Sequence, residues 1–257
     1  MPFDNTQKEF TGYGYDSDNH TTIYKNAKTK VPLKEYLNMF NKTPNVIKPV
    51  KNVKLSKASS IITKGTFKGY KMFTLTLTER ETCPKSCVHY LDCFGNNMPF
   101  AHRIDHKDQK LLEERIEIDL DELIIKKKKR VMLRLHILGD FFSVSYVLFW
   151  KKLLHKYNGM LAIFGYTGNL PNDPNPKYAS IGKAIRDVRR VFKDRKLFQI
   201  RFSGMPSDSF SANSLDHNEP EKGKDIICPE QTGKTEACTT CALCWDCPAK
   251  RILFITH

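Results

Sequence analysis

The chain has 257 residues, 40% of them hydrophobic, enough to bury a sizeable core as one domain of barrel size or as two small ones, and the single domain is the simpler reading. It carries 42 Lys and Arg against 28 Asp and Glu, a net charge of +14, which favours polyanionic partners without saying which. The start MPFDNTQKEF has no basic stretch followed by an apolar run, and nowhere do eighteen apolar residues follow one another, so neither a signal peptide nor a membrane span is expected and the cytoplasm is the predicted location.

Residues 1–60 are polar, lysine-rich and interrupted by Pro32, Pro44 and Pro49; they read as an irregular basic arm around a short helix at Pro32–Phe40. Strand and helix patterns then alternate. Tyr70–Leu77 has period two, and Gln109–Lys126 places Leu112, Ile116, Leu120 and Leu123 at helical spacing. A strand is predicted at Arg130–Ile137, then a helical stripe through Tyr146, Phe149 or Trp150, Leu153 and Tyr157, and a strand at Met160–Tyr166. A second stripe runs through Ile181, Ile185, Val188 and Phe192, followed by strands at Leu197–Ser203 and Arg251–Thr256.

Such alternation predicts an α/β fold with a mostly parallel sheet and crossover helices. Thr74, Thr76 and Thr78 share one strand face, Arg134 and His136 another, and Gln199, Arg201 and Ser203 a third. A sheet covered by helices on both sides would read as near-continuous apolar strands. The polar faces therefore favour a partial or open parallel β/α barrel over residues 61–257, with a polar lumen, an irregular N-terminal arm and a cysteine-rich, metal-binding segment at 226–257; an edge-rich α+β sheet with a solvated face is the alternative.

Ligands of parallel α/β folds sit at the carboxyl ends of the strands. A cysteine loop follows the first strand, Gly139 and Asp140 the second, Tyr166 to Asn169 the third, and Ser203 and Gly204 the fourth. Asp140 reads either as a helix N-cap or as a ligand-binding group.

All eight cysteines lie in two clusters, Cys83, Cys87 and Cys93, then Cys228, Cys238, Cys241, Cys244 and Cys247. In a reducing compartment this grouping favours metal over a disulfide framework. Three thiolates holding an iron-sulfur cube leave one iron open; the alternative is zinc, with His89, His102 or another nearby histidine as the fourth ligand. The second cluster lacks the long spacer of a zinc ribbon and is similar to the Cys-x2-Cys-x2-Cys wrap of bacterial ferredoxins. Cys228 could complete that cube and leave Cys247 spare, Cys247 could instead reach across to the first cluster, or one cluster could draw on both groups. The expected cofactor is one or two 4Fe-4S clusters, with zinc as the alternative. Nucleic acid is a candidate partner through Lys126–Arg130 and the basic stripe Lys183, Arg186, Arg189, Arg190 and Lys193; two solvated faces are the competing account.

The stretches TLTERETCPKSCVHYLDCFGNNMPFAHRID, LRLHILGDFFSVSYVLFWKKL, FGYTGN, RFSG and CPEQTGKTEACTTCALCW with ILFITH resemble the "gene product 88" family of bacteriophage proteins over most of residues 52–257. That resemblance implies a phage protein with cysteine-bound metal, working in the cytoplasm of an infected bacterium, and names no reaction. A three-cysteine loop after the first strand and a glycine-acid pair after the second are similar in architecture to radical S-adenosylmethionine enzymes. By that likeness Cys83, Cys87 and Cys93 would hold the cube, Gly139 and Asp140 would meet the amino group of S-adenosylmethionine, and Asn169 or Ser203 would face its ribose. The last interval in the loop is five residues where that superfamily has two, which sets the two patterns apart.

Overall fold

The computed structural model describes residues 30–31, 46–49, 60–90, 93, 103–205, 207–214, 219–247 and 249–255. Among the described residues ten strands run in chain order: β1 (Lys30–Val31), β2 (Lys48–Pro49), β3 (Lys71–Thr74), β4 (Arg103–Ile104), β5 (Val131–Leu135), β6 (Leu161–Thr167), β7 (Phe198–Ser203), β8 (Ser211–Ser214), β9 (Asp225–Ile227) and β10 (Arg251–Phe254). Helix α1 spans Gln109–Leu120 and continues as a π-helical turn over Asp121–Lys126; α2 is Val144–Lys156, α3 Pro176–Val191, α4 Cys238–Cys241 and α5 Leu243–Asp246. The three long helices start where their sequence asks for it. Asp108, Ser143 and Asn175 each accept a hydrogen bond from a first-turn amide, and Pro176 occupies the first turn of α3, where its missing N–H costs nothing.

Among the described residues β1 pairs only with β4, and the remaining strands form one sheet in the order β2-β3-β5-β6-β7-β8-β10-β9. All pairings in it are parallel except β2 with β3. From β3 to β8 each strand lies beside its predecessor in the sheet, and the sheet does not close.

Residues in parallel register share a face. One face therefore carries Thr74, Arg134, Phe164 and Gln199 in a row, with Tyr166 beside Arg201 and Ser203 beside Ala212 and Ile252. The opposite face, with Leu133, Ile163 and Phe198, is covered by helices whose buried stripes include Tyr146, Trp150 and Leu153 of α2 and Ile181, Ile185 and Val188 of α3. The polar face is not open to solvent. The terminal cysteine segment lies on it, with Trp245 packed 4.7 Å from Phe164 and only 1% exposed.

One expected strand is shorter and one expected position shifts. Strand β3 ends at Thr74, and beyond it Leu75 and Leu77 still bond the chain of β5 and its continuation, while Ile104 donates its amide to Thr76 and accepts that of Thr78. Strand β5 ends at Leu135, and His136, at φ +50°, turns away from Arg134. Its ring packs 4.7 Å from Phe141, with Nε2 3.3 Å from the Tyr146 hydroxyl on α2.

The helix expected at Pro32–Phe40 lies outside the described residues. The described parts of the arm pack into the body. Val46 and Ile47 are 2% and 1% exposed and donate both amides to the buried Asp119 carboxylate of α1. No helix among the described residues is long and apolar enough to cross a membrane.

Candidate metal centres

The first group of thiols lies across the carboxyl ends of β5, β6 and β7. Gly139, at φ +81°, stands so close to the start of the loop that a Cβ there would come within 2.8 Å of the Leu77 Cβ and the Thr82 hydroxyl. A Cβ on Gly168 would meet Pro84 at 3.1 Å and Cys87 at 3.2 Å from Cβ and 3.4 Å from Sγ. Val88 lies against Gly204 at the end of β7. Missing side chains at the strand ends thus let the loop lie flat on the rim.

Asp140 fastens the same rim. Its Oδ1 accepts from the Thr167 hydroxyl and the Phe141 amide, both at 2.7 Å, and its Oδ2 from the Gly168 amide at 2.7 Å. Its own amide donates to the Thr82 hydroxyl at 2.9 Å. Burial pushes the carboxyl up to about 6 against these hydrogen bonds, which pull it down. Asp140 is not a helix N-cap, since Ser143 caps α2; it ties β5, β6 and the head of the cysteine loop together. Asn169, fully buried, donates from Nδ2 to the Phe141 carbonyl at 2.9 Å, and Ser203 is partly buried at the end of β7.

Cys83, Cys87 and Cys93 are each partly buried. Burial, then the neighbouring Asp140, Cys87 and Cys93, push the Cys83 thiol well up. Cys83 thus has Asp140 and the other two thiols of the loop among its neighbours. His102 lies outside the described residues.

The second group sits on the polar sheet face. Cys228, Cys238, Cys241 and Cys244 line one recess together with Pro229, Glu230, Leu243, Trp245 and Ile252. Cys228 arrives just after β9; Cys238 and Cys241 bracket α4, and Cys244 lies in α5, joined to α4 through Ala242 at φ +67°. Burial first and Cys238 second push the Cys244 thiol up to about 12, while Tyr166 and Arg201 pull it down. Such thiols stay protonated until a metal displaces the proton. Cys247 does not line the recess.

Three side chains of the sheet serve this group. Tyr166 donates its hydroxyl to Cys244 Sγ at 2.9 Å, and burial, then the adjoining Cys244, raises the phenol's pKa so that it remains a donor. Arg134 lies 6.0 Å from the Tyr166 ring centroid; burial pulls its pKa down, but Cys238, Tyr166, Cys244 and Cys228 in their ionised forms leave it raised. Arg201 is completely buried and donates to the carbonyls of Cys244 (3.0 Å), Ser211 (3.2 Å), Lys250 (2.8 Å), Leu243 (3.3 Å) and Cys247 (2.8 Å). The polar alternation of LFQIRFS marked Arg201 as inward-facing. Nothing in the sequence marked its partners, which lie more than forty positions away except for Ser211.

None of the eight cysteines is joined in a disulfide. Among the described residues no three of His, Cys, Asp and Glu are close enough together to hold one metal ion. A single tetrahedral zinc at about 2.3 Å from each sulfur draws them to within about 3.8 Å of one another, whereas the thiolates of a cube each bind a different iron. Thiols alone line the recess, and three thiols and a carboxylate belong to the rim, donors that suit zinc as well as a cube.

The basic stretches are partly neutralised within the chain. Lys126 and Lys127 pair with Glu122 at 3.0 and 3.2 Å, Arg186 and Arg190 with Asp187 at 3.8 and 3.6 Å, and Arg189 with Asp208 at 2.9 Å. Arg189 also lies over the rings of Phe202 and Phe210, as a packing residue would.

No protein-family model matches the chain, and no curated protein or solved structure matches it either.

Proposed function

We propose that this chain is an iron-sulfur protein built on a partial β/α barrel, with one cube held by Cys228, Cys238, Cys241 and Cys244 and a second site at Cys83, Cys87 and Cys93. The observation that carries this reading is the convergence of four thiols, distant in sequence by up to sixteen positions, on one recess beneath Tyr166 and Arg134. The barrel reading is supported by the sequential order of β3, β5, β6, β7 and β8 and by one sheet face turned inward onto the cysteine segment. By resemblance, its setting is the cytoplasm of a phage-infected bacterium.

A cube held by three thiolates would supply an open iron for a substrate or for S-adenosylmethionine. Here the chain's own residues hold the loop: Asp140 fixes its head through Thr82, and Gly139 and Gly168 give it room. With three donors already on the Asp140 oxygens, Asn169 and Ser203 are the better candidates for contact with a cofactor. Anaerobic purification with iron, zinc and sulfide counts tests the proposal. About eight irons and eight sulfides would mean both groups are loaded and about four would mean one; zinc without sulfide would sink it.

The charge of +14 favours a second reading, a metal-stabilised protein that binds nucleic acid or a host factor without catalysis. Nucleic-acid binding of that kind weakens steeply as salt rises, and affinity indifferent to salt would remove it.

A further inference from the structure

Four thiolates leave the recess group anionic whichever metal it holds, so a cation and a hydroxyl donor beside it act on that charge as well as on packing. Arg134 lies 6.0 Å from the Tyr166 ring centroid, and its Nε lacks a hydrogen-bond partner among the described residues. On the same sheet face, Tyr166 donates its hydroxyl to the Cys244 sulfur.

We propose that Tyr166 and Arg134 raise the reduction potential of the cluster held by Cys228, Cys238, Cys241 and Cys244, so that it serves as a one-electron carrier. This rests on the iron-sulfur reading above. Reduction adds one electron from an external one-electron donor, which is oxidised by one; no bond forms or breaks. The added negative charge is shared with the cysteine sulfurs. A hydrogen bond to one of them and the Arg134 cation nearby stabilise the reduced form more than the oxidised one. Burial magnifies both effects, because little water is there to screen them.

The test is an anaerobic redox titration of the full chain with dithionite as reductant, followed by absorption and electron paramagnetic resonance. Cys83, Cys87 and Cys93 are replaced by Ser throughout, so that the recess alone contributes. Tyr166→Phe keeps the ring and removes the hydroxyl; Arg134→Gln removes the charge. Each should retain the parent's iron and sulfide and titrate at a more negative potential, by about a tenfold change in the one-electron equilibrium, or about 59 mV. A loaded Tyr166→Phe protein with the parent's midpoint overturns the proposal. If that variant does not load, Arg134→Gln decides by the same readout, and a loaded parent with neither variant loading also overturns it, because the two residues would then serve assembly. A parent holding zinc and no sulfide brings down the iron-sulfur reading itself, and the metal count tells that failure apart from an unshifted potential.

Discussion

His136 shows how little a residue's neighbours in sequence reveal of its surroundings. Next to Leu135 it looks like one more strand residue, yet its φ of +50° swings the ring under Phe141 and against Tyr146. Burial holds its imidazole down to about 3, so it is neutral in the folded chain at neutral pH. An unfolded chain protonates the same ring near 6.5. Between those values the unfolded state binds the extra proton. The stability contributed by a neutral His136 is therefore complete above about pH 6.5 and is lost as pH falls toward 3, with a slope of up to about 1.4 kcal/mol per pH unit. His136→Asn tolerates the left-handed backbone and can still meet the Tyr146 hydroxyl. Denaturant melts from pH 7 to 4 should show a shallower loss for this variant than for the parent; parallel curves would mean that His136 is not the group that titrates.

The elements fall into two kinds, those announced by periodicity and those made by long-range contacts. Helices α2 and α3 and strands β6 and β7 were legible because the helices repeat apolar positions over two or more turns, β6 is a short apolar run and β7 alternates over six residues. Strands β8 and β9, reading SANS and DII, are too short and too weakly patterned to stand out, and they exist through their pairing with β10. Likewise the cysteine spacing pointed to a wrap around metal, while its lodging on the inner sheet face depends on Arg201 and Trp245, whose partners are remote in sequence. The rim illustrates the same division. Gly168 could be read as a turn residue, but what it accommodates is the loop at Pro84 and Cys87. Gly168→Ala keeps the amide that binds Asp140 and pushes a methyl into that loop, at a cost of about 1–3 kcal/mol. Iron at the rim group should fall while the recess group keeps its own, and unchanged iron at both would contradict the contact.

For the molecule as a whole, the terminal segment acts as the filling of an unclosed sheet. Its residues Trp245 and Ala242 belong to the same buried cluster as Phe164, Ile62 and Phe67, and Asp246 binds the Thr66 amide and hydroxyl at 2.8 and 2.5 Å. Metal at the recess would thus stabilise both the segment and the loop at 60–70 that folds over it. Removing metal with a chelator should lower the melting temperature and move Trp245 emission toward the red, as water reaches a ring now 1% exposed, while Trp150, on the buried face of α2, does not respond. A shift that persists in a Trp245→Phe variant, where Trp150 alone emits, would point to another site of opening.

Arg201 gives this arrangement an all-or-none character. One guanidinium holds four carbonyls of the terminal segment, those of Leu243, Cys244, Cys247 and Lys250, and anchors them to β7 and to Ser211 of β8. Letting go of one carbonyl exposes the buried cation and weakens its hold on the others. The segment is then held as a single latch, and while it rests on the sheet it keeps Cys238, Cys241 and Cys244 together beside Cys228, which the Leu253 carbonyl of β10 holds.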